Sequence, residues 1–323
     1  MLPRADVPVT DMPIPEIPGP DVDITDRLVR RLLREQHPDL AALPLRPAGA
    51  GWDNVVYRLG DGLALRLPRR AAAAALMENE LRWLPVLAPR LPVPVPAPLR
   101  RGAPAAGYPY PWAVVPWFEG TSAALFPAPV RDGYAGALAG FLRCLHLPAP
   151  ADAPRNPVRG VPLAARDDAF RTRLAGWDAF RERHAPQAPD ASVLLAVWAR
   201  ALEAPRHTGE RVWLHGDLHP HNLVAGAAGN LVAVGDFGDL TSGDPATDLA
   251  AGWLHFTAAG HGRFRAGLGA PPGGQAGAGE RAAWERARGW AVSLGLIMAL
   301  HPPGEPLHAV GLHALGRLAT EPG

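Results

Sequence analysis

Two short polar segments carry the side chains best suited to chemistry. The first contains His215, Asp217 and, five residues after that aspartate, Asn222. The second begins with Asp236 and reads Asp-Phe-Gly. A carboxylate on a loop can accept the proton of an attacking hydroxyl, while an amide oxygen and a carboxylate from a second loop can hold Mg²⁺ against phosphate groups. This order and spacing favour phosphoryl transfer, although either segment alone is often a simple turn.

The first segment also allows a different metal chemistry. Three histidines and Asp217 lie within residues 215–221, and alternating loop positions can converge on one zinc ion. A zinc-dependent hydrolase would leave Asn222 and Asp236 without a role. A catalytically silent nucleotide-binding protein is the other alternative, because the chain has no lysine to contact ATP.

The first third of the chain predicts a small β-rich lobe. Thr25 or Asp26 can cap a helix whose apolar side carries leucines and a valine at helical steps. Residues 55–59 and 63–67 alternate like strands around Gly-Asp-Gly, which predicts a hairpin. A helix over 71–88 and a strand over 112–117 follow. We place the lobe boundary near 118–121.

The rest of the chain is mainly helical in pattern. Helices are predicted over 131–147, 164–184, 190–204, 246–259, 280–300 and 306–319, with short strands at 211–214 and 231–235 and a loop over 267–279. Five tryptophans on these helices are expected in the core: Trp177, Trp198, Trp253, Trp284 and Trp290. The predicted organisation is an extended Pro-rich arm (1–22), an N-terminal nucleotide-binding lobe (23–118) and a C-terminal catalytic and acceptor-binding lobe (119–323).

Charge and composition limit the classes of partner that the protein is expected to bind. All 32 basic residues are arginines, and against 31 acidic residues they give a net charge of +1, so no global field attracts nucleic acid or an anionic membrane. No apolar run approaches the roughly 18–20 residues of a membrane span. The single cysteine cannot form an internal disulfide, and the first residues do not read as a signal peptide. We expect a cytoplasmic protein with a small hydroxylated substrate, no nucleic acid and no membrane.

With these motifs in place, the sequence resembles the aminoglycoside phosphotransferases and their relatives, which share the protein-kinase-like fold. The likeness is strongest over His215–Val224 and Val234–Ala251, and it extends to Gly-Trp-Asp-Asn at 51–54, Glu-x-x-Trp-Leu at 80–84 and Arg288-Gly-Trp. It implies an α+β, two-lobe fold with a β-rich N-lobe and a helical C-lobe. It also implies transfer of the γ-phosphoryl group of ATP or GTP, with Mg²⁺, to a small-molecule hydroxyl.

The resemblance also assigns roles around the two loops. It makes Asp217 the catalytic base, or the group that orients the acceptor hydroxyl, and it makes Asn222 and Asp236 ligands of Mg²⁺. His215 would orient the loop through hydrogen bonds. His219 stands where many protein kinases place a lysine, so contact with the transferred phosphate and simple loop packing are both open.

On the nucleotide side, Gly49 and Gly51 precede a strand and could bring backbone N–H groups over phosphates, or form a plain turn. The family's phosphate-binding lysine is missing here, and Arg66 stands in its place. Arg binds phosphate as a planar fork, so it can supply the charge with a different reach. Its expected acid partner is Glu80, with Glu78 as the alternative. The resemblance also places adenine against two backbone groups, the Pro116 carbonyl and the Phe118 N–H.

The acceptor is less defined by the sequence. Aminoglycosides are polycations, so a matching pocket should gather carboxylates, and four are available on the helical part: Asp167, Asp168, Asp178 and Asp239. The family resembled here also includes macrolide, choline, sugar and homoserine kinases. Antibiotic resistance is the role most often assigned to members of this family.

Overall fold

The structure, a computed structural model, describes residues 19–105, 107–269 and 277–321. Most of the predicted arm therefore lies outside the described residues. Its last part contacts the N-terminal sheet region, where the Asp21 carboxylate accepts hydrogen bonds from Ala71 N at 2.7 Å and from the Tyr110 hydroxyl at 3.0 Å.

The N-terminal part is a five-stranded antiparallel sheet with a helix on each face. Its strands are β1 (Leu45–Ala50), β2 (Asn54–Leu59), β3 (Leu63–Pro68), β4 (Arg100–Gly102) and β5 (Trp112–Pro116), in the order β1-β2-β3-β5-β4. The predicted β2–β3 hairpin is confirmed. Gly60 has a φ of 61° in its turn, a conformation that glycine adopts without steric cost.

Strand alternation decides which helix each residue meets. Leu65 faces α1 (Asp26–Gln36), whose first turn is capped by the Thr25 hydroxyl. Ala64 faces the opposite side and packs with Met77 of α2 (Ala71–Leu87). Because side chains two residues apart share a face, Arg66 points toward α2 as well.

The C-terminal part is helical. Its helices are α3 (Ala128–Arg131), α4 (Ala135–Leu145), α5 (Asp167–Leu174), α6 (Trp177–His184), α7 (Ala191–Glu203), α8 (Ala246–Leu249), α9 (Ala251–His255), α10 (Ala258–Leu268), α11 (Ala278–Ala299) and α12 (Pro306–Thr320). Helix α11 is buried along most of its length between α7 and α12. The five helical tryptophans are all buried, which confirms their core assignment.

Three predicted helices are broken in the structure. The one predicted over 131–147 begins earlier, as α3, and is interrupted before α4. The one over 164–184 divides into a 3₁₀ turn, α5 and α6, where Asp178 accepts a hydrogen bond from Ala191 N and so ties α6 to the start of α7. The one over 246–259 ends at α9, because Thr257 caps α10 and donates its own N–H to Asp132. Tertiary contacts overrode the helical period at these points.

The predicted loop over 267–279 falls largely on residues 270–276, outside the described residues. The prediction is wrong at both ends, since its first two residues lie in α10, which ends at Leu268, and its last two lie in α11, which begins at Ala278. Among the described residues, no helix is both long enough and apolar enough to cross a membrane.

Two small sheets bring the polar segments together. Strand β7 (Val212–Leu214) pairs with β10 (Thr241–Gly243), and β8 (Leu223–Ala225) pairs with β9 (Leu231–Val234) and with β6 (Thr121–Ser122). The segment 215–222 runs from β7 to β8, and the segment 235–240 runs from β9 to β10. Because both ends of one segment pair with both ends of the other, the two must lie side by side.

Candidate active site

The segment 215–222 is fixed from beneath by a buried carboxylate. Asp248 accepts hydrogen bonds from the backbone N–H groups of His215 at 2.8 Å and Gly216 at 2.9 Å, and its side chain also meets His146 Nε2 at 3.0 Å. Gly216 has a φ of 87°, and a Cβ there would lie 2.4 Å from the Asp239 carbonyl oxygen. This position therefore requires glycine.

Hydrogen bonds join the two segments directly. His215 Nε2 lies 2.8 Å from the Gly235 carbonyl oxygen, and the Gly235 N–H donates to the Asn222 carbonyl at 2.8 Å. The loop-orienting role expected for His215 stays a prediction, and this contact is the one through which it would act.

Asp217 lies at the centre of the polar contacts. Asn222 Nδ2 donates to its carbonyl oxygen at 2.9 Å, His219 Nε2 is 3.2 Å from Oδ2, and Arg159 Nη2 donates to Oδ1 at 3.1 Å. Burial on its own would raise the pKa of Asp217, but the charges of His219 and Arg159 outweigh it and lower that pKa. The carboxylate is therefore anionic at neutral pH and ready to accept a hydrogen bond from an alcohol.

Asp236 projects from the second segment into the open. It is the one non-glycine residue with positive φ, 50°, in the described part of the chain, and aspartate tolerates this left-handed region better than most residues. Its side chain is 61% exposed, and Oδ1 lies 4.0 Å from Arg66 Nη2. Such backbone conformations collect at functional sites.

The oxygen atoms at this point suit magnesium rather than zinc. Asn222 uses its Nδ2 on Asp217, which leaves its Oδ1 and the exposed Asp236 carboxylate as hard oxygen donors of the kind Mg²⁺ prefers. The described residues contain no group of three or more His, Cys, Asp or Glu side chains able to hold a metal. Within this part of the chain, the three histidines and Asp217 considered for zinc therefore do not form such a group.

The region expected to bind the nucleotide contains a buried ion pair. The two terminal guanidinium nitrogens of Arg66 donate to the two carboxylate oxygens of Glu80, with Nη2 to Oε1 at 2.9 Å, and the two residues are 8% and 1% exposed. Burial would lower the pKa of Arg66, but Glu80 and then Asp236 raise it, so the cation is held. Glu78 instead meets Arg101 at 2.6 Å. The structure thus selects Glu80 as the partner.

Of the two glycines, Gly49 lies in one row with Arg66 across the sheet. Gly49 ends a bulge in β1 and sits opposite Val56, which in turn sits opposite Arg66 on β3. Gly51 starts the β1–β2 turn, where its N–H donates to the Asn54 carbonyl at 2.9 Å. These positions are exposed beside the sheet, as a phosphate-covering loop would be. The phosphate-covering role of both glycines stays a prediction.

The predicted adenine contacts lie where the sheet leads into the helical part. Pro116 is the last residue of β5 and is paired with Leu63, and Phe118 follows two residues later. Gly120 comes next with a φ of 150°, and a Cβ there would meet the Ala225 carbonyl oxygen at 2.5 Å. This glycine lets the connecting segment approach β8 closely.

Sequence reasoning missed the residues that a Pro-rich connection brings to the site. Asn156 donates through Nδ2 to Asp239 Oδ1 at 2.6 Å, and its Oδ1 accepts from the N–H groups of Val158 at 2.8 Å and Arg159 at 3.1 Å. This turn presents Arg159 between Asp217 and Asp239, whose Oδ2 is 3.4 Å from Arg159 Nε. No spacing in the sequence marks such contacts, because they join residues about 60–80 positions apart.

The four carboxylates considered for a polycationic acceptor do not converge. Asp167 bonds Arg171 and the Trp198 indole, and Asp178 bonds Ala191 N and Arg181. Of the four, Asp239 alone contacts the group around Asp217, and there it is paired with Arg159. Asp244, in the segment that follows Asp236-Phe-Gly, pairs with Arg286 of α11.

Comparisons with known proteins agree with the resemblance seen in the sequence. A model of the phosphotransferase enzyme family matches residues 44–290. No curated protein matches the sequence. Among solved structures, the GDP complex of wild-type aminoglycoside 2'-phosphotransferase-IIIa has 17% identity and a TM-score of 0.57, covering 91% of this chain and 99% of its own.

Two further solved structures are similar. The macrolide 2'-phosphotransferase MphH from Brachybacterium faecium, an apoenzyme, has 21% identity, a TM-score of 0.55 and coverage of 90% of this chain and 98% of its own. The streptomycin–ATP–APH(2")-IIa ternary complex has 16% identity, a TM-score of 0.55 and coverage of 84% and 90%. These similarities confirm the expected α+β kinase-like fold.

Proposed function

The chain belongs to the phosphotransferase enzyme family, and we propose that it transfers the γ-phosphoryl group of ATP or GTP to a small hydroxylated molecule. One observation carries this proposal: the two loops hold Asp217, Asn222 and Asp236 side by side, linked by the bonds from Gly235 to Asn222 and from Asn222 to Asp217. In this proposal, residues 23–118 bind the nucleotide and residues 119–323 bind the acceptor.

The residues divide the work by their chemistry. The anionic Asp217 accepts a hydrogen bond from the acceptor hydroxyl and aligns its oxygen with the γ-phosphorus. The acceptor oxygen forms a bond to phosphorus, the bond from phosphorus to the β,γ-bridging oxygen breaks, and the nucleoside diphosphate leaves. The hydroxyl proton passes to Asp217. With its pKa lowered by His219 and Arg159, this carboxylate takes the proton late, when the new bond is largely formed.

Asn222 and Asp236 would hold Mg²⁺ through oxygen atoms, and the ion would neutralise charge on the phosphates. Arg66, fixed by Glu80 and 4.0 Å from Asp236, would place a permanent cation beside the same phosphates. Gly49 and Gly51 would cover them with backbone N–H groups, and the Pro116 carbonyl and Phe118 N–H would meet the base. His219 contacts Asp217, which favours a positioning role over phosphate contact.

The acceptor class is the finer part of the proposal. The similar solved structures include a complex with streptomycin and a macrolide phosphotransferase, so aminoglycosides and macrolides belong in any panel of acceptors. An aminoglycoside-type antibiotic was the acceptor expected from the resemblance, and a resistance role would follow from its turnover.

The test combines binding with turnover. Purified protein is titrated with Mg-ATP and Mg-GTP by calorimetry, then incubated with nucleotide and a panel of aminoglycosides, macrolides, amino alcohols and hydroxy acids, with products followed by mass spectrometry. We expect nucleotide binding and one phosphorylated acceptor class, lost in Asp217→Asn. Nucleotide binding without any turnover would instead support the catalytically silent alternative, which the arginine in place of lysine motivates. No binding of either nucleotide would contradict the proposal outright.

A further inference from the structure

A cavity of about 600 Å³ adjoins the candidate active site. It lies between the connection that carries Asn156 and Arg159, the end of α7 and strand β10. Asp217, Asn222 and Asp236 do not line it. Arg159 belongs to both places, since it lines the cavity and bonds Asp217 at 3.1 Å.

The lining is strongly cationic. It contains five arginines and a single carboxylate, Asp244. That carboxylate is already paired, because it accepts hydrogen bonds from Arg286 at 2.6 and 3.1 Å. Whatever occupies the cavity therefore meets the remaining arginines without a competing acid in the wall.

Three of these arginines meet no carboxylate among the described contacts. Arg155 and Arg206 are exposed and make no ion pair, and Arg211 bonds the neutral Ser242 hydroxyl. Burial, and then the charge of Arg155, lowers the pKa of Arg211, so the cations lie close enough to repel one another. An anion between them would relieve this repulsion and gain charge-assisted hydrogen bonds.

Most of the remaining wall is apolar, and its other polar side chains are those of Asn156, His207 and Ser242. Val161, Leu163, Ala201 and Leu202 contribute to it. A pocket with an apolar wall and a few convergent polar groups suits an organic molecule with a carbon body and a charged end. A polycation such as an aminoglycoside would instead meet like charges here, and like charges brought together are strongly unfavourable.

We propose that this arginine cavity binds the anionic end of the acceptor, a carboxylate or a phosphate, while the acceptor hydroxyl reaches Asp217 beside Arg159. The inference rests on the proposed phosphotransferase function and names its substrate class. Arg159 is the link, since it is the lining residue that also touches the catalytic carboxylate, and a bound anion would compete with Asp217 for its guanidinium.

Two matched probes test the cavity. 4-(Hydroxymethyl)benzoate and 4-(hydroxymethyl)benzamide have the same shape and hydroxyl but differ in charge, and calorimetry without nucleotide measures their affinities. We expect the benzoate to bind at least about tenfold tighter, as two charge-assisted hydrogen bonds would give. The double variant Arg155→Gln, Arg206→Gln should remove this preference. Both side chains are exposed and unpaired, so the fold should tolerate their loss.

The control is Arg281→Gln, an exposed arginine on α11 that lies outside the cavity lining and should leave the preference intact. Equal affinity for the two probes, no binding of either, or a preference that survives in the double variant would overturn the proposal. Inorganic phosphate is the third probe. If it bound and the benzoate did not, the cavity would hold a free anion and the acceptor assignment would be wrong.

The cavity proposal and the proposed function can fail separately. Mg-ATP affinity is measured on the same samples and does not depend on the cavity. Selective benzoate binding without Mg-ATP binding would contradict the phosphotransferase proposal, whereas Mg-ATP binding without probe selectivity would contradict the cavity proposal alone.

Discussion

Replacing Glu80 with leucine should destabilise the fold by about 3–5 kcal/mol, because it leaves the Arg66 guanidinium buried without its carboxylate. Arg66 is 8% exposed and Glu80 is 1% exposed, so water cannot substitute for the missing partner. The double variant Arg66→Met, Glu80→Leu removes both charges and fills a similar volume. It should recover most of the loss, since apolar replacement of a buried ion pair is often nearly neutral.

The effect of the same variants on nucleotide binding should differ from their effect on stability. Arg66 Nη2 lies 4.0 Å from the Asp236 carboxylate and supplies a permanent cation at that point. The double variant should therefore be stable yet bind Mg-ATP at least about tenfold more weakly, the cost of losing one charge-assisted contact to phosphate. Urea unfolding gives the free energies, and calorimetry gives the affinities.

The exposed ion pair between Glu78 and Arg101 is the matched control, because it joins the same helix to the same sheet. Glu78→Gln should cost no more than about 1 kcal/mol and leave Mg-ATP affinity unchanged. A double variant as unstable as Glu80→Leu would show that the loss of stability does not come from the unpaired Arg66 charge. A double variant that binds Mg-ATP like the original protein would contradict the role given to Arg66.

Three further predictions concern single positions. Asp236→Asn keeps a side chain that tolerates positive φ but loses the charge, so calorimetry should show weaker Mg-ATP binding at unchanged stability; unchanged affinity would contradict the metal assignment. Gly216→Ala should lower both stability, by about 1–3 kcal/mol, and turnover, because its Cβ would lie 2.4 Å from the Asp239 carbonyl; normal urea unfolding would contradict this. Burial, and then Arg317, lowers the pKa of His261 from 6.5 to about 3. The unfolded chain therefore binds a proton on this imidazole more readily than the folded protein does. The free energy of unfolding should fall by up to about 1.4 kcal/mol per pH unit as the pH drops below 6.5. Urea unfolding of His261→Gln should show a shallower dependence of stability on pH, and an equal dependence would contradict the lowered pKa of His261.

Local patterns were sufficient for the elements that hold the site. The capping residue and apolar steps of α1, the Gly-Asp-Gly turn between β2 and β3, and the two polar loops all depend on residues close in sequence. Their roles in phosphoryl transfer stay predictions, but their positions could be read directly. Glu80 could also be preferred over Glu78, although only the structure shows the pair with Arg66.

Long-range contacts account for what the sequence did not reveal. The helical pattern over 164–184 does not show the break before α6. The hydrogen bond that holds α6 runs from Ala191 N, at the start of the next helix, to the Asp178 carboxylate. Strand β10 is three residues long and exists only because β7 pairs with it. Arg159 lies in a Pro-rich segment without any period, so neither its contact with Asp217 nor the cationic cavity beside it could be foreseen.

The rate of phosphoryl transfer in Asp217→Asn tests the central claim most directly. With Mg-ATP and the best acceptor from the panel, single-turnover kinetics should show a rate about 10²–10⁴-fold below that of the original protein, the usual worth of a positioned general base. Mg-ATP affinity should stay within about threefold, because the metal ligands and Arg66 remain in place. A rate within tenfold of the original would contradict the account.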